Sequence, residues 1–380
     1  MSVWDAVIGQ EAVVSTLRAA VEDPRAMTHA WLITGPPGSG RSVAARAFAA
    51  ALQCEQDPAG CGECKDCKTV LAGSHPDVTF VATERVVIDI KEVRELVATA
   101  ARSASQGRWR IIVVEDADRM VERTSNVLLK SIEEPAERTV WLLCAPSPDD
   151  VIVTIRSRCR HVGLRIPDPE AVADLLVRRD GVDPDVALAA ARAAQSHVGI
   201  ARRLATNEEA RARRRHLLTL PGRIRGVGDA VLEAAEMVEG ATADAKAVAA
   251  ERDERERAEL LRTLGVDEGE RIPPAMRAQI RQLEENQKKR STRVQRDALD
   301  RAMTDLLSFY RDVVSVQLGA EVDLVNSDLE EEVRSVAAES TSVQTLRRMD
   351  AIGEARQRLE GNVAPLLAVE AMLVALRPQG

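Results

Sequence analysis

The chain has 380 residues, of which 45% are hydrophobic and 29% charged, a balance typical of globular proteins with two or three domains. Its net charge is −8 at pH 7 and aromatic residues make up 2%, which excludes a nucleic-acid-binding protein of the strongly basic kind. No basic, then apolar, leader opens the sequence, and the longest apolar stretch, 363–376, is broken by Pro365 and Glu370. We therefore expect a helix-rich, cytoplasmic protein that makes no contact with a membrane.

A glycine-rich loop at 34–42 lies between a predicted strand, 30–33, and a predicted helix, 43–52. It follows the pattern G-x-x-x-x-G-K-[ST], in which backbone N–H groups at a helix N-terminus hold phosphates. The loop residues predicted to bind nucleotide are Gly35, Gly38, Ser39, Gly40, Arg41 and Ser42. Arg41 replaces the lysine of the pattern, and a planar guanidinium cannot simply take over the role of a compact ammonium group. The loop therefore predicts a P-loop fold whose own ATPase is weak or absent.

Four of the six cysteines form one cluster, with spacings that suit a closed tetrahedral Zn²⁺ site. The predicted ligands are Cys54, Cys61, Cys64 and Cys67. An iron–sulfur cluster is the rival interpretation, but no nearby feature indicates electron transfer. A closed site has no open coordination position, so a structural zinc is favoured over a zinc that contacts nucleic acid.

A second nucleotide motif is predicted where the apolar strand 109–116 ends in Glu115 and Asp116. Carboxylates at the end of such a strand hold Mg²⁺ and polarise water. The usual order is Asp-Glu, so the reversed pair would shift both carboxylates by about one methylene, a scale to which catalysis is sensitive. The alternative is that the two acids only cap the strand. With further strands at 78–81 and 140–144, helices alternate with strands and predict a doubly wound α/β sheet.

The rest of the chain is predicted to be helical. Pro167 and Pro169 mark a boundary, and 170–205 has the pattern of a three-helix lid. Two charged helical arms are predicted at about 242–300, joined by a bend containing Gly265, Pro273 and Pro274. Such charge runs are usually a solvated helix face, and contact with a partner or DNA is the alternative. The predicted domains are 1–166, 167–206 and 207–380.

Several motifs in the first 205 residues resemble those of AAA+ subunits of bacterial clamp loaders. They are the cysteine cluster, Val7-Ile8-Gly9-Gln10, His29-Ala30-Trp31, Leu128-Leu129-Lys130 with Glu133-Glu134-Pro135, and Thr154-Ile155-Arg156-Ser157-Arg158-Cys159. The resemblance implies an AAA+ domain with a parallel sheet and a zinc knuckle, a small helical lid and an all-α collar. It also implies ATP or ADP with Mg²⁺ as ligands. The implied partners are gamma/tau and delta subunits in a five-membered ring, a sliding clamp, and primer–template DNA reached through the complex.

Three departures from the family pattern favour a subunit that does not hydrolyse ATP. They are Arg41, the pair Glu115-Asp116, and 144–147, where active members carry threonines that sense the γ-phosphate. The segment 86–94 also looks more like the non-catalytic kind of subunit. The alternatives are an ATP-hydrolysing gamma/tau-type motor and a zinc-dependent nucleic-acid-binding module. The negative net charge and the few aromatic residues argue against the module.

Two arginines match functional positions of the family. Arg158 matches an arginine finger that acts on the ATP of a neighbouring subunit, where a guanidinium can neutralise charge on the transferring phosphoryl group. The motif alone leaves open that Arg156, Arg158 and Arg160 only pair with surface acids. Arg202 resembles a second sensor that faces nucleotide from the lid, and a helix-surface position is the alternative.

Overall fold

The computed structural model describes residues 2–81, 88–263, 277–361 and 363–378. It divides into two compact units, Met1–Thr206 and Asn207–Gly380. Residues 86 and 87 of the segment 86–94 lie outside the described residues, and so does the bend predicted around Gly265, Pro273 and Pro274.

A five-stranded parallel sheet forms the centre of the first unit, with strand order β2-β3-β4-β1-β5. Its strands are β1 Ala30–Thr34, β2 Val78–Val81, β3 Arg110–Val114, β4 Thr139–Ala145 and β5 Arg160–Gly163. Strands β1, β3 and β4 are buried along their whole length, which explains their nearly continuous apolar sequences. The doubly wound parallel sheet is confirmed. Strand β3 is shorter than predicted, so Glu115 and Asp116 lie on the loop that follows it.

Helices cover both faces of the sheet. They are α1 Glu11–Glu22, α2 Arg41–Gln53, α3 Lys65–Leu71, α4 Ile90–Ala100, α5 Glu122–Glu133 and the short α6 Val153–Arg156. On one face Phe48 of α2 meets Trp31 of β1 edge to face, with ring centroids 5.1 Å apart. On the other face Leu96 of α4 and Leu128 of α5 pack in a second apolar cluster. The sheet is therefore enclosed, and only its loops can carry a site.

Three further helices complete the first unit, in the segment for which a lid was predicted. They are α7 Pro169–Asp180, α8 Pro184–Ala193 and α9 Val198–Thr206. Pro169 and Pro184 stand in the first turns of α7 and α8, where a missing N–H costs nothing. Asp183 caps α8 by accepting hydrogen bonds from two backbone amides.

The second unit is all helical in its described residues. Its helices are α10 Glu208–Leu218, α11 Leu220–Arg223, α12 Val227–Thr263, α13 Arg277–Gln317, α14 Glu330–Ala338, α15 Ser342–Glu360 and α16 Pro365–Leu376. Helices α12 and α13 include the predicted charged arms and pack along each other. Pro365, within the apolar stretch 363–376, begins α16. In the described part of the chain, none of the helices is long and apolar enough to cross a membrane.

Candidate functional site

The glycine-rich loop connects the buried end of β1 to the N-terminus of α2. Gly35, Gly38 and Gly40 have φ values of 156°, 89° and 90°, which residues with a side chain rarely adopt. A Cβ on Gly38 would lie 2.9 Å from the Cα of His197 in the lid, so the loop and the lid approach each other closely. At Gly38 glycine is thus required both by the backbone conformation and by the limited space.

Two buried polar atoms of this loop have no hydrogen-bond partner among the described protein atoms. They are Oγ of Ser39 and Nη1 of Arg41. A buried donor without a partner is costly, and it indicates a site for an unseen acceptor. The first amides of α2 also have no acceptor inside the helix, because a helix leaves its first N–H groups unbonded. Donors that converge at a helix N-terminus suit the oxygen atoms of a phosphate group.

The side chain of Gln10 connects the N-terminal segment to the glycine-rich loop. This buried side chain donates to the carbonyl of Arg165 at 2.6 Å and to that of Ser39 at 3.4 Å, and it accepts from the amide of Arg165 at 3.1 Å. One side chain thus joins the N-terminal segment, the phosphate loop and the segment after β5. This contact explains the glutamine of the Val7-Ile8-Gly9-Gln10 motif.

A cavity of about 750 Å³ opens beside the loop, a volume typical of small-molecule sites. The loop from Pro37 to Val43 forms one side, and the N-terminal segment with Ile8 forms another. The lid contributes Leu175, Arg178, Arg179, His197, Val198 and Gly199. The three basic residues among these were not predicted from the sequence, although they belong to the segment for which a lid was predicted.

The two acids after β3 are each countered by an arginine of the same chain. Glu115 Oε1 lies 2.9 Å from Nη2 of Arg46, which projects from α2. Asp116 Oδ1 lies 3.8 Å from Nε of Arg119. Burial raises the pKa of the neighbouring Asp118, and the charge of Asp116 adds to the rise. Arg46 was not predicted from the sequence, because its pairing with Glu115 joins residues 69 positions apart.

The segment after β4, the third departure from the family pattern, makes local structural contacts. Pro146 accepts a hydrogen bond from the amide of Gly35, and Ser147 caps a short 3₁₀ helix together with Asp150. Burial raises the pKa of the Cys144 thiol to about 12; Glu115 adds to the rise and Arg41 opposes it. The charges of Arg41 and Glu115 therefore both influence the Cys144 thiol, which is buried near the carboxyl end of β4.

The three arginines around β5 are all bonded within the chain. Arg158 pairs with Glu133 at 2.7 Å and donates to the carbonyl of Thr154 at 2.8 Å. Arg156 pairs with Asp149. Arg160 donates to a backbone carbonyl and lies over the ring of Trp31. The side chain of Arg158 nevertheless remains 40% exposed, on the loop between α6 and β5.

Arg202 points to an acid of the lid. Its Nη2 lies 2.9 Å from Oδ1 of Asp180. Hydrogen bonding by Arg179 lowers the pKa of Asp180, and the charge of Arg202 lowers it further. Among the described residues that line the cavity, Arg178 and Arg179 occur and Arg202 does not.

The four clustered cysteines come together as a group that could hold a metal ion. Their sulfur atoms all lie within 4.8 Å of one another, and Sγ of Cys54 is 3.8 Å from Cys61 and 3.9 Å from Cys64. A tetrahedral zinc with Zn–S bonds of about 2.3 Å requires sulfurs about 3.8 Å apart, so the donor set fits this ion. Amides of Glu63 and Cys64 donate to Sγ of Cys61 and lower its pKa to about 7. This lowered pKa favours a metal-binding thiolate at Cys61, whereas burial raises the pKa of the Cys64 and Cys67 thiols.

The cysteine segment also packs against the N-terminal segment. The amide of Val3 donates to the carbonyl of Gly60 at 2.9 Å, and the indole N–H of Trp4 donates to that of Ala59. A Cβ on Gly60 would lie 2.8 Å from Cγ2 of Val3, so a larger residue does not fit there. Since Val3 also lines the cavity, the N-terminal segment contacts both the cysteine segment and the cavity.

The parallel sheet, the glycine-rich loop after its first strand and the three helices that follow the sheet together have the architecture of a P-loop unit. Residues 9–168 match the family model described as DNA polymerase III, delta subunit. Over this segment the chain is similar to subunits of DNA polymerase III, and the resemblance noted from the motifs is confirmed.

Individual relatives include both delta-prime and gamma/tau subunits. A delta-prime subunit of Pseudomonas aeruginosa is 37% identical over 42% of this chain and 50% of its own length. A delta-prime subunit of Bacillus subtilis is 25% identical over 93% of this chain and 92% of its own length. A gamma/tau subunit of Mycobacterium bovis is 32% identical over 48% of this chain and 32% of its own length. The chain thus spans half or less of the Pseudomonas aeruginosa and Mycobacterium bovis relatives and nearly all of the Bacillus subtilis one, and both kinds of subunit match it.

Proposed function

We propose that this chain is a non-catalytic, delta-prime-type subunit of a DNA polymerase III clamp loader that lends Arg158 to the ATP of a neighbouring subunit. Its partners would be gamma/tau and delta subunits, a sliding clamp, and primer–template DNA reached through the complex. One observation carries the proposal: Glu115, at the metal position, is already paired with Arg46 at 2.9 Å. The chain's own site is therefore poorly suited to catalysis, while Arg158 is exposed.

The loop itself supports the loss of catalysis. Arg41 stands where the pattern has a lysine, and its forked, planar group has a different reach from an ammonium group. Ser147 is engaged in capping a 3₁₀ helix, in the segment where active relatives have sensor threonines. These changes affect three separate elements of one site, which a single compensating change could not repair.

The exposed position of Arg158 supports the transfer of its charge to a neighbour. A guanidinium that reaches the phosphates of ATP bound to another subunit neutralises charge as the phosphoryl group leaves. To do so, Arg158 would release Glu133. Both side chains are partly exposed, so the ion pair stabilises the chain by less than about 1 kcal/mol. Breaking it therefore requires little free energy.

The four cysteines are proposed to hold a structural Zn²⁺ ion. With four thiolate ligands the ion has no open position, so it would cross-link the segment 54–67 and do no chemistry. The division of the chain after Thr206 supports the proposed limits of the lid, 167–206, and of the collar, 207–380. The long helices α12 and α13 are proposed to be parts of that collar, which would assemble the ring.

Reconstitution of the complex with gamma/tau and delta subunits tests the role of Arg158. We expect Arg158→Ala to lower DNA-stimulated ATP turnover about tenfold or more, as loss of an arginine finger does. Arg156→Ala is the matched control, since this neighbouring arginine pairs with Asp149 on its own chain. Assembly of each complex is checked by gel filtration. Unchanged turnover with Arg158→Ala in an intact complex would sink the assignment.

A further inference from the structure

Arg46 is held firmly at the acidic end of the sheet. It projects from the second turn of α2, and its guanidinium carbon lies 4.2 Å from the ring centroid of Phe80. The same group donates to Oε1 of Glu115 at 2.9 Å, and that carboxylate is only 17% exposed. These two contacts already restrict the side chain of Arg46. Keeping it beside Glu115 when a ligand binds therefore costs little additional conformational entropy.

Arginine side chains therefore occupy the position that a magnesium ion would take beside these acids. In P-loop proteins Mg²⁺ is bound through one or two carboxylates and the phosphates of the nucleotide. Here Glu115 pairs with Arg46 and Asp116 lies near Arg119, so a metal ion would have to displace a bound guanidinium. The residues present do not fit a resident Mg²⁺ ion.

The phosphate loop, in contrast, keeps the features that bind an anion. Ser39 Oγ and Arg41 Nη1 are buried without a partner among the described protein atoms, at the N-terminus of α2. The adjoining cavity of about 750 Å³ is large enough for a nucleotide. The site thus combines an intact phosphate cradle with a metal position that is filled by protein.

We propose that this site binds the phosphates of a free nucleoside di- or triphosphate without magnesium, and that Arg46 is the positioning residue that removes the need for the metal. Arg46 and Arg119 neutralise the two carboxylates at the metal position, Glu115 and Asp116, while Arg41 presents a buried guanidinium nitrogen in the loop itself. The inference rests on the proposed phosphate-binding role of the loop and does not depend on Arg158.

Equilibrium binding of ADP and ATP to the full-length chain tests this directly. Titration calorimetry is run with nucleotide-free protein, once with excess MgCl₂ and once with excess EDTA. We expect the parent chain to bind nucleotide with the same affinity, within about twofold, in both buffers. Arg41→Ala should abolish binding in both, because it removes a charge from the cradle itself.

The variant Arg46→Ala frees Glu115 and should create a requirement for metal. We expect its affinity to be about tenfold higher with MgCl₂ than with EDTA, since the ion can then bridge Glu115 and the phosphates. Arg46→Lys keeps the charge and should behave like the parent chain. Arg94→Ala, a change of an exposed arginine on α4, is the control. Thermal unfolding confirms that each variant is folded.

Three outcomes would overturn the inference. They are absence of nucleotide binding by the parent chain in both buffers, binding by the parent chain that needs magnesium, and binding by a folded Arg46→Ala variant that remains independent of it. None of these results affects the reconstituted assay of Arg158, so the two proposals fail separately.

Discussion

Arg158 and Glu133 form a 2.7 Å ion pair between the loop after α6 and the last turn of α5. Arg158 also donates to the carbonyl of Thr154, so its guanidinium is folded back onto its own chain. Two of the motifs that carry the family resemblance, Glu133-Glu134-Pro135 and Ser157-Arg158-Cys159, are therefore in direct contact. In the isolated chain this pair keeps the exposed arginine in one orientation.

Removal of Glu133 should release Arg158 from its ion pair with almost no loss of folding stability. We expect Glu133→Ala to change the free energy of unfolding by less than about 1 kcal/mol, because both partners are exposed to water. Urea denaturation measures this change. In the reconstituted complex, ATP turnover should be equal to or above that of the parent. Glu134→Ala is the control, and a large loss of turnover with Glu133→Ala alone would mean that the pair is itself needed.

Restoring the lysine of the phosphate loop should not restore an ATPase. We expect Arg41→Lys to show no steady ATP turnover above background, because Glu115 would still be paired with Arg46. The measurement is phosphate release by the purified chain without other subunits. Turnover at ordinary enzymatic rates, lost again on Ser42→Ala, would show that Arg41 was the only defect and that the chain is close to a motor subunit.

Two glycines of the loop separate backbone strain from lid contact. Gly38→Ala and Gly40→Ala both place a side chain at φ near +90°, at a cost of about 1–2 kcal/mol each. At Gly38 the new Cβ would also lie 2.9 Å from His197, whereas at Gly40 no atom of the described residues lies within 4 Å. Urea denaturation should therefore find Gly38→Ala the less stable variant. Equal losses would mean that the lid does not rest on the loop.

A buried acid, Asp77, should make stability depend on acid pH. Burial raises its pKa, but amides of Gly107, Ser105 and Gln106 outweigh this effect and lower the pKa to about 2. Arg110 also pairs with it at 2.9 Å. A carboxyl whose pKa is lowered by folding adds stability above its unfolded pKa, and this contribution is lost as the pH falls from about 4 to about 2.

We therefore expect Asp77→Asn to cost about 2 kcal/mol at pH 7, the equivalent of its pKa shift. The difference between variant and parent should shrink as the pH falls through that window. Urea denaturation at pH 7 and near pH 3 measures it. Asp66→Asn, at a more exposed carboxylate, is the control. A difference that does not vary with pH would assign the loss to packing, with no contribution from the charge.

The cysteine cluster should bind one zinc ion per chain, and its loss should loosen the N-terminal segment. We expect Cys61→Ser to lower the zinc content and the melting temperature, because Gly60 then holds Val3 less rigidly. Metal analysis and thermal unfolding measure the two effects. Cys159→Ser, outside the cluster, should change neither the zinc content nor the response to a chelator. Full zinc content in Cys61→Ser would remove this cysteine from the ligand set.

Much of the architecture could be predicted because it depends on short-range patterns. Apolar runs such as Trp31 to Ile33 are long enough only for buried strands, and their alternation with helices requires parallel pairing. The phosphate loop and the cysteine cluster are likewise local, since glycine spacing and cysteine spacing bring their atoms together. These features follow from the sequence by itself.

The state of the acidic pair could not be predicted in this way. Glu115 forms an ion pair with Arg46 only because α2 packs across β3 and β4. No local pattern on this alanine-rich helix distinguishes Arg46. In the same way, Arg158 meets Glu133 and His197 meets Gly38 only after separate elements have docked. Local spacing determines which groups a segment presents, whereas an ion pair requires two charges within about 4 Å, and only tertiary packing decides that distance.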